Sequence, residues 1–193
     1  TPSMKKARAR YLNTQSRDSC DVVVRFGPTG TCKTHTAIHS DWPTALHYVK
    51  ACTKDNKWFC DYDGERKIIL DELRGAKQKM ELATLNQWLQ EHDICYVEPK
   101  FGRCKLMIVI TSSMHPTKWF PDNLDDEDDN IDQLLRRISV VYQHTKTQPA
   151  AGVAHTTTHN KHGEVVYIRE TRRGAQEADG AWCGRVRAMP GAA

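Results

Sequence analysis

An apolar run that passes straight into a glycine-rich turn and a Lys-Thr pair restricts this chain more than any other feature. Val22-Val23-Val24-Arg25-Phe26 leads into Gly27-Pro28-Thr29-Gly30-Thr31-Cys32-Lys33-Thr34, and a helical pattern follows. Strand, turn, Lys-Thr and helix, in that order, form the sequence pattern of a phosphate-binding P-loop. Backbone N–H groups of such a turn point inward and cradle the phosphates of a nucleotide, and the helix N-terminus adds its positive partial charge. Lys33 is expected to reach the β- and γ-phosphates, and the Thr34 hydroxyl to ligate Mg²⁺. Cys32 stands where the motif has its last glycine, so its Cβ and sulfur crowd the nucleotide or leave backbone strain of about 1–3 kcal/mol.

The rest of the chain is consistent with one medium domain. It has 193 residues, 39% hydrophobic and 27% charged, with a mean hydropathy of -0.66, which predicts a soluble protein. No apolar run approaches the ~20 residues that cross a bilayer, so no membrane association is expected. The chain opens at Thr1 without a secretory signal, as an excised fragment would. Its seven cysteines (20, 32, 52, 60, 95, 104, 183) contain no C-x-x-C spacing and read as free thiols in a reducing compartment. The net charge of +4 is mild, but it is unevenly spread. Lys5, Lys6, Arg8 and Arg10 open the chain, and residues 1–20 read as a basic linker; Asp122 to Asp132 is strongly acidic.

Hydrophobic patterning predicts an alternation of strands and helices. Residues 21–26 read as a buried strand and roughly 33–51 as the helix leaving the turn. Lys67-Ile68-Ile69-Leu70, ending in Asp71-Glu72, has the continuous apolar character of a parallel strand covered on both faces. Leu82, Leu85, Trp88 and Leu89 recur at helical spacing over about 79–91. A strand at Ile94 to Val97 leads into the loop Pro99-Lys100-Phe101-Gly102-Arg103. Another apolar strand, Leu106 to Ile110, closes with Thr111-Ser112-Ser113. An acidic loop (Asp122 to Asn130), a short helix (Ile131 to Arg137) and a strand (Ile138 to Tyr142) follow. This order predicts an α/β fold, a P-loop NTPase with a mainly parallel sheet flanked by helices, over residues 21–146. Residues 147–193 read as a poorly ordered tail apart from one candidate strand at Glu164 to Ile168, with His155, His159 and His162 in that tail rather than in a metal site.

The paired acids at the end of the second apolar strand have a defined use beside a P-loop. Asp71 is expected to hold Mg²⁺, directly or through water, and Glu72 to orient or deprotonate an attacking water. A polar side chain of Thr111-Ser112-Ser113, on a neighbouring strand, is placed to sense the γ-phosphate.

In this order the motifs resemble a known family. Lys57-Trp58-Phe59-Cys60-Asp61-Tyr62-Asp63-Gly64-Glu65 running into Ile68-Ile69-Leu70-Asp71-Glu72, then Val97-Glu98-Pro99-Lys100-Phe101-Gly102, then Ile110-Thr111-Ser112-Ser113 with Pro116 and Trp119-Phe120, then Leu135-Arg136-Arg137-Ile138, are similar to successive motifs of the replication-initiator (Rep) proteins of circular single-stranded DNA viruses. The resemblance covers roughly residues 21–143. It implies a superfamily 3 helicase domain, AAA+-like, that binds ATP and Mg²⁺ and works in the host nucleus as a ring, commonly a hexamer, on single-stranded DNA. It implies that Gly27 through Thr34 bind the nucleotide, with Thr34 and Asp71 on the metal and Lys33, Glu72 and Ser113 in the catalytic set. Arg136 or Arg137 would be the finger inserted into the neighbouring subunit's site. Lys100 would contact DNA phosphates in the channel, which gives affinity without sequence preference, and Phe101 would stack a base. A nicking endonuclease, where one exists, would precede residue 1, leaving residues 1–20 as an interdomain and oligomerisation segment.

Four positions depart from the family pattern: Cys32 for glycine, Ser113 for the usual Asn, and Cys60-Asp61 for Asp-Gly. Cys32 and Ser113 keep open a second class of function, a ring-forming DNA-binding module that binds nucleotide with little turnover. A small-molecule kinase would share the P-loop but leaves Lys100, the Trp-aromatic segment and the Thr-Ser-Ser strand end without a use. For an RNA helicase of the same superfamily, the Trp-aromatic approach to Asp71-Glu72 is the feature that argues otherwise.

Overall fold

The computed structural model describes residues 19–52, 65–78, 80–89, 105–121 and 131–172. The first strand, β1 (Ser19–Phe26), is followed by helix α1 (Lys33–His39) and strands β2 (His47–Ala51) and β3 (Lys67–Asp71). A 3₁₀ turn (Gly75–Gln78) leads to helix α2 (Leu82–Trp88), strand β4 (Lys105–Ser112) and a second 3₁₀ turn (Pro116–Lys118). Helix α3 (Ile131–Arg137), then β5 (Val140–Thr145), β6 (Thr156–His159) and β7 (Val165–Arg172), complete the order. All seven strands join one mixed sheet, β2-β3-β4-β1-β5-β7-β6. The fold is α/β.

The pairs β2–β3, β3–β4, β4–β1 and β1–β5 are parallel, while β7 pairs antiparallel with both β5 and β6. The central strands are continuous apolar runs because both faces are covered. Val22 and Val24 of β1, Ile68 and Leu70 of β3 and Ile108 and Ile110 of β4 face α2 and α3, packing with Leu82, Leu85, Leu89, Leu134 and Trp119. Val23, Ile69 and Val109 face the other way, against Ala37 of α1. Fully burying each such side chain is worth about 1.5–3 kcal/mol, and this double cover fixes the register that brings the carboxyl ends of β1, β3, β4 and β5 together.

Two expectations are corrected. Residues 33–51 are not one helix: α1 ends at His39 and residues 47–51 form the edge strand β2. Pro43 cannot continue a helix, and the last carbonyls are claimed from outside. The Lys67 ammonium, with its side chain fully buried, donates to Ile38 O and Asp41 O at 2.7 Å each and to Trp42 O at 3.4 Å. A lysine on helix-end carbonyls satisfies groups that otherwise need water.

The second correction concerns residues 147–193, expected to be poorly ordered apart from a strand at Glu164 to Ile168: a strand does run there, extended to residues 165–172, and residues 156–159 add an unexpected one to the same sheet. Thr156-Thr157-Thr158 is β-branched but polar, with Thr156 and Thr157 exposed and Thr158 half-buried, so it carries little apolar signal. In β7 only Val166 and Ile168 are buried, alternating with exposed or half-buried neighbours, as a half-covered strand requires. Of the linker expected over residues 1–20, Ser19 and Cys20 instead begin β1. Residues 1–18, residues 57–64 of the Trp-aromatic segment, the strand and loop at 94–103 with Lys100 and Phe101, and the acidic loop at 122–130 lie outside the described residues. Among the described residues no helix is long and apolar enough to cross a membrane.

Candidate functional site

The turn Gly27–Thr34 sits over the carboxyl end of β1, which lies between β4 and β5 in the parallel part of the sheet. The chain leaves β1 toward β2, past β3 and β4, whereas β5 lies on the opposite side. Ligands of open parallel sheets bind outside the carboxyl ends of strands where connections diverge in this way. Gly27 has φ +145°, and a Cβ there would lie 2.1 Å from the His144 carbonyl oxygen. Only glycine lets β1 turn so close to β5.

Four carbonyls of the turn are held by the protein. Pro28 O accepts from Thr31 Oγ1 at 2.7 Å and from Lys33 Nζ at 2.8 Å. Gly30 O accepts from Asn160 Nδ2 at 3.1 Å. Thr31 O lies 2.8 Å from His144 Nδ1, and Cys32 O accepts from Thr36 N and Thr36 Oγ1, both at 2.8 Å. A trans peptide points its N–H opposite to its C=O. The amides of Thr29, Thr31, Cys32 and Lys33 are therefore directed away from these partners. Gly27 N–H is spent on Ser112 O at 3.2 Å and Pro28 has none, so the first of these amides is that of Thr29. With only two helical turns in α1, a macrodipole adds less than the sequence led us to expect.

The turn meets β3 at one carboxylate. Thr34 Oγ1 donates to Asp71 Oδ1 at 2.6 Å, and Thr111 Oγ1 at the end of β4 donates to the same oxygen at 2.8 Å. Thr111 Oγ1 in turn accepts from the Glu72 N–H at 2.9 Å. A hydroxyl of the turn and a strand-end carboxylate within 3 Å are placed as Mg²⁺ ligation with a triphosphate requires, since that ion takes one or two carboxylates and keeps water and phosphate for the rest. Three-carboxylate or His/Cys metal clusters are absent among the described residues, which such a site does not need. The donor set thus fits Mg²⁺: Asp71 and Thr34 would hold it.

Lys33 is buried. Burial pulls its ammonium below the ordinary lysine range, and the nearby Glu72 and Asp71 carboxylates pull in the opposite direction. It folds onto the carbonyl of Pro28, within the turn. Glu72 takes φ +56° and its carboxylate meets Arg74 Nη2 at 3.2 Å, an exposed pair. Cys32 takes φ 58°, ψ 22°, the left-handed geometry that glycine supplies at least cost. Its Sγ lies 3.7 Å from the His159 carbonyl on β6. Among the described residues three non-glycines have positive φ, and two of them, Cys32 and Glu72, are in this site. Strain of that kind persists only where surrounding contacts over-determine it.

The strand end Thr111-Ser112-Ser113 divides its labour. Thr111 reaches Asp71. Ser112, fully buried, donates to Leu73 O at 2.6 Å and accepts from Met114 N and Trp119 Nε1, so it locks the 3₁₀ turn to the core. Ser113 lines a cleft of about 380 Å³ beside the Gly27–Thr34 turn, with Gly27, Pro28, His115, Lys118 and Gln143 also on its wall. On α3, Arg137 Nη1 donates to Gln133 O at 2.6 Å and Asn86 Oδ1 at 3.3 Å, bracing α3 against α2, while Arg136 is exposed.

Sequence reasoning missed the groups that shape the turn from behind. Arg25, buried in β1, donates to both oxygens of Asp41 at 2.5 and 2.6 Å and lies 4.2 Å from the centre of the Tyr142 ring. Its Nη1 is 3.1 Å from His144 Nε2. A carbonyl can only accept, so His144 Nδ1 carries the proton toward Thr31 O and Nε2 accepts from Arg25. The ring is neutral: burial lowers its pKa to about 4, and the Arg25 and Lys33 charges act in the same sense against the Thr31 bond. An arginine inside an apolar strand was the one signal of this network in the sequence.

No protein-family model matches this chain, and no curated protein matches it.

Proposed function

We propose that this chain is the ATPase domain of a superfamily 3 DNA helicase, from a Rep-like initiator of rolling-circle replication, which hydrolyses ATP between subunits of a ring and moves on single-stranded DNA. One observation carries the nucleotide part of this reading: the Thr34 hydroxyl of the phosphate turn and the β3 carboxylate of Asp71 are 2.6 Å apart. Residues 37 positions apart in sequence meet there in the arrangement that a metal-bound triphosphate needs. The contacts of Asn160 and His144 with the Gly30 and Thr31 carbonyls, and the position of β4 between β1 and β3 with Thr111 on Asp71, add support.

The role of each residue follows from its place. Amides from Thr29 onward accept phosphate oxygens, and Lys33 exchanges the Pro28 carbonyl for a phosphate, cancelling charge that grows in the transition state. Mg²⁺, when bound, neutralises phosphate charge and polarises the reacting phosphoryl group. Asp71 and Thr34 would hold that ion. Glu72, beside this carboxylate, holds the attacking water and takes its proton, for which it must leave Arg74. Ser113 reaches into the cleft by the turn. An arginine of α3 completes the neighbouring subunit's site, for which exposed Arg136 is better disposed than Arg137. The DNA-directed part of the reading rests on the motif resemblance at Lys100 and Phe101.

The second reading is a nucleotide-binding ring module with little turnover. The left-handed Cys32 and the Glu72–Arg74 pair favour it. Measurement of ATP turnover with and without single-stranded DNA, in the wild type, Lys33→Ala and Cys32→Gly, separates the two. DNA-stimulated turnover that falls roughly 10²–10³-fold in Lys33→Ala supports the motor. Turnover that arises only in Cys32→Gly supports the module, and turnover untouched by Lys33→Ala removes both.

A further inference from the structure

The polar turn between β6 and β7 touches the phosphate turn, and one buried side chain makes the contact. Asn160 is 7% exposed. Its Oδ1 accepts from His162 N at 2.9 Å and Glu164 N at 3.0 Å. Because two backbone donors fix that oxygen, the amide nitrogen must face the other way. Nδ2 spends one hydrogen on Glu164 Oε2 at 2.6 Å and the other on Gly30 O at 3.1 Å. All four hydrogen-bonding positions of this side chain are filled, and one of them leaves the hairpin for the phosphate turn. The backbone closes the hairpin as well: Asn160 N donates to Glu164 O at 3.0 Å and Gly163 N to Asn160 O at 2.9 Å.

Further contacts surround this one. Glu164 is also paired with Lys146 Nζ at 2.7 Å, and the Lys146 and Asn160 hydrogen bonds lower its pKa. The Lys146 ammonium lies 4.0 Å from where a Cβ on Gly30 would stand. A second approach to the phosphate turn comes from Cys32 Sγ near His159 O. Gly30, at φ +78°, has no side chain with which to hold itself, so its carbonyl is the handle available.

We propose that Asn160 is a positioning residue of the phosphate turn, and that the β6–β7 hairpin is thereby a part of the nucleotide site. This rests on the nucleotide reading above and extends it to residues that no part of the motif resemblance covers. By holding Gly30 O outward, Asn160 keeps the Thr31 N–H directed toward the phosphates. Loss of this hydrogen bond lets the Gly30–Thr31 peptide rotate, and each nucleotide-binding event must then restore it.

The test uses the full chain with Asn160→Asp combined with Glu164→Gln. The carboxylate introduced at position 160 keeps the two bonds from backbone N–H groups, the amide introduced at position 164 can donate to it, and the hairpin's internal frame survives. Gly30 O then faces an acceptor. ¹⁵N relaxation of the nucleotide-free protein should give an order parameter at Gly30 or Thr31 that falls below about 0.6, with Val166 to Ile168 unchanged near about 0.85. The affinity for a slowly hydrolysed ATP analogue with Mg²⁺ should weaken about three- to tenfold, the weight of one neutral hydrogen bond. Unchanged order parameters at Gly30 and Thr31 would overturn the proposal, as would loosened residues with unchanged affinity. A wild type that binds no analogue overturns the nucleotide reading instead, while the relaxation comparison still decides whether Asn160 holds the turn.

Discussion

The two flanks of the Gly27–Thr34 turn are built from different kinds of contact. Toward β3 and β4, side chains meet side chains: Thr34 and Thr111 both donate to Asp71 Oδ1. Toward β5 and the β6–β7 hairpin, side chains meet backbone: His144 lies on Thr31 O and Asn160 donates to Gly30 O. The first flank gathers oxygen atoms at one point, which is chemistry. The second holds carbonyls outward, which is shape. Substitutions on the shape flank should therefore cost stability, while those on the chemical flank should cost metal-linked binding out of proportion to stability.

The largest expected effect is at the base of the shape flank. Arg25→Met leaves the Asp41 carboxylate, 10% exposed, without its guanidinium and should destabilise by about 3–5 kcal/mol, read from urea midpoints. A loss under about 1 kcal/mol would mean that this network does not support the turn.

Acid should act through the same network. His144 is neutral in the fold with a pKa lowered to about 4 from 6.5. Above about pH 6.5 it is neutral in both folded and unfolded chains, and its contribution is fully present. As pH falls toward 4 the unfolded chain binds a proton that the folded one refuses, so stability drops by up to about 3 kcal/mol. His144→Gln can donate to Thr31 O and accept from Arg25 without titrating. Urea midpoints from pH 7.5 to 4.5 should therefore fall more steeply in the wild type than in this variant; parallel curves would contradict the buried neutral ring.

On the chemical flank, Thr111→Val removes a hydroxyl that donates to Asp71 and accepts from Glu72 N–H. A stability loss of about 1–3 kcal/mol is expected from the unsatisfied amide, together with weaker Mg²⁺ dependence of nucleotide binding. The metal dependence is the discriminating readout, because the shape-flank variants should leave it intact.

The smallest effect has the opposite sign. Cys32→Gly relieves a left-handed φ of 58° and should stabilise by about 1 kcal/mol, the cost of that geometry less the added freedom of glycine when unfolded. A destabilised variant would show that the Sγ contact with His159 matters more than the strain.

The chemical flank was far more legible in the sequence than the shape flank. Its parts announce themselves locally: glycines and Lys-Thr after an apolar strand, and paired acids ending another. Even so, Thr111, Ser112 and Ser113 were indistinguishable by type. Strand register alone sends Thr111 to Asp71, Ser112 into the core and Ser113 to the cleft. The strand β2 was hidden because Ala45 to Ala51 also suits a helix, and the effect of Lys67 on the end of α1 depends on a tertiary contact. The shape flank is assembled from isolated residues, Arg25, Asp41, His144 and Asn160, whose partners lie up to 130 positions away. Val165 to Ile168 carried enough apolar character to read as a strand, but the threonine-rich β6 beside it has little apolar periodicity, so nothing local marked β6 as part of the sheet.

The most direct test of the site is equilibrium binding of a slowly hydrolysed ATP analogue, with and without Mg²⁺, to the wild type and to Asp71→Asn. If a triphosphate and its metal sit between the Gly27–Thr34 turn and Asp71, Mg²⁺ should tighten binding at least tenfold in the wild type and much less in Asp71→Asn. Equal affinity with and without Mg²⁺ in the wild type, or no binding at all, would contradict it.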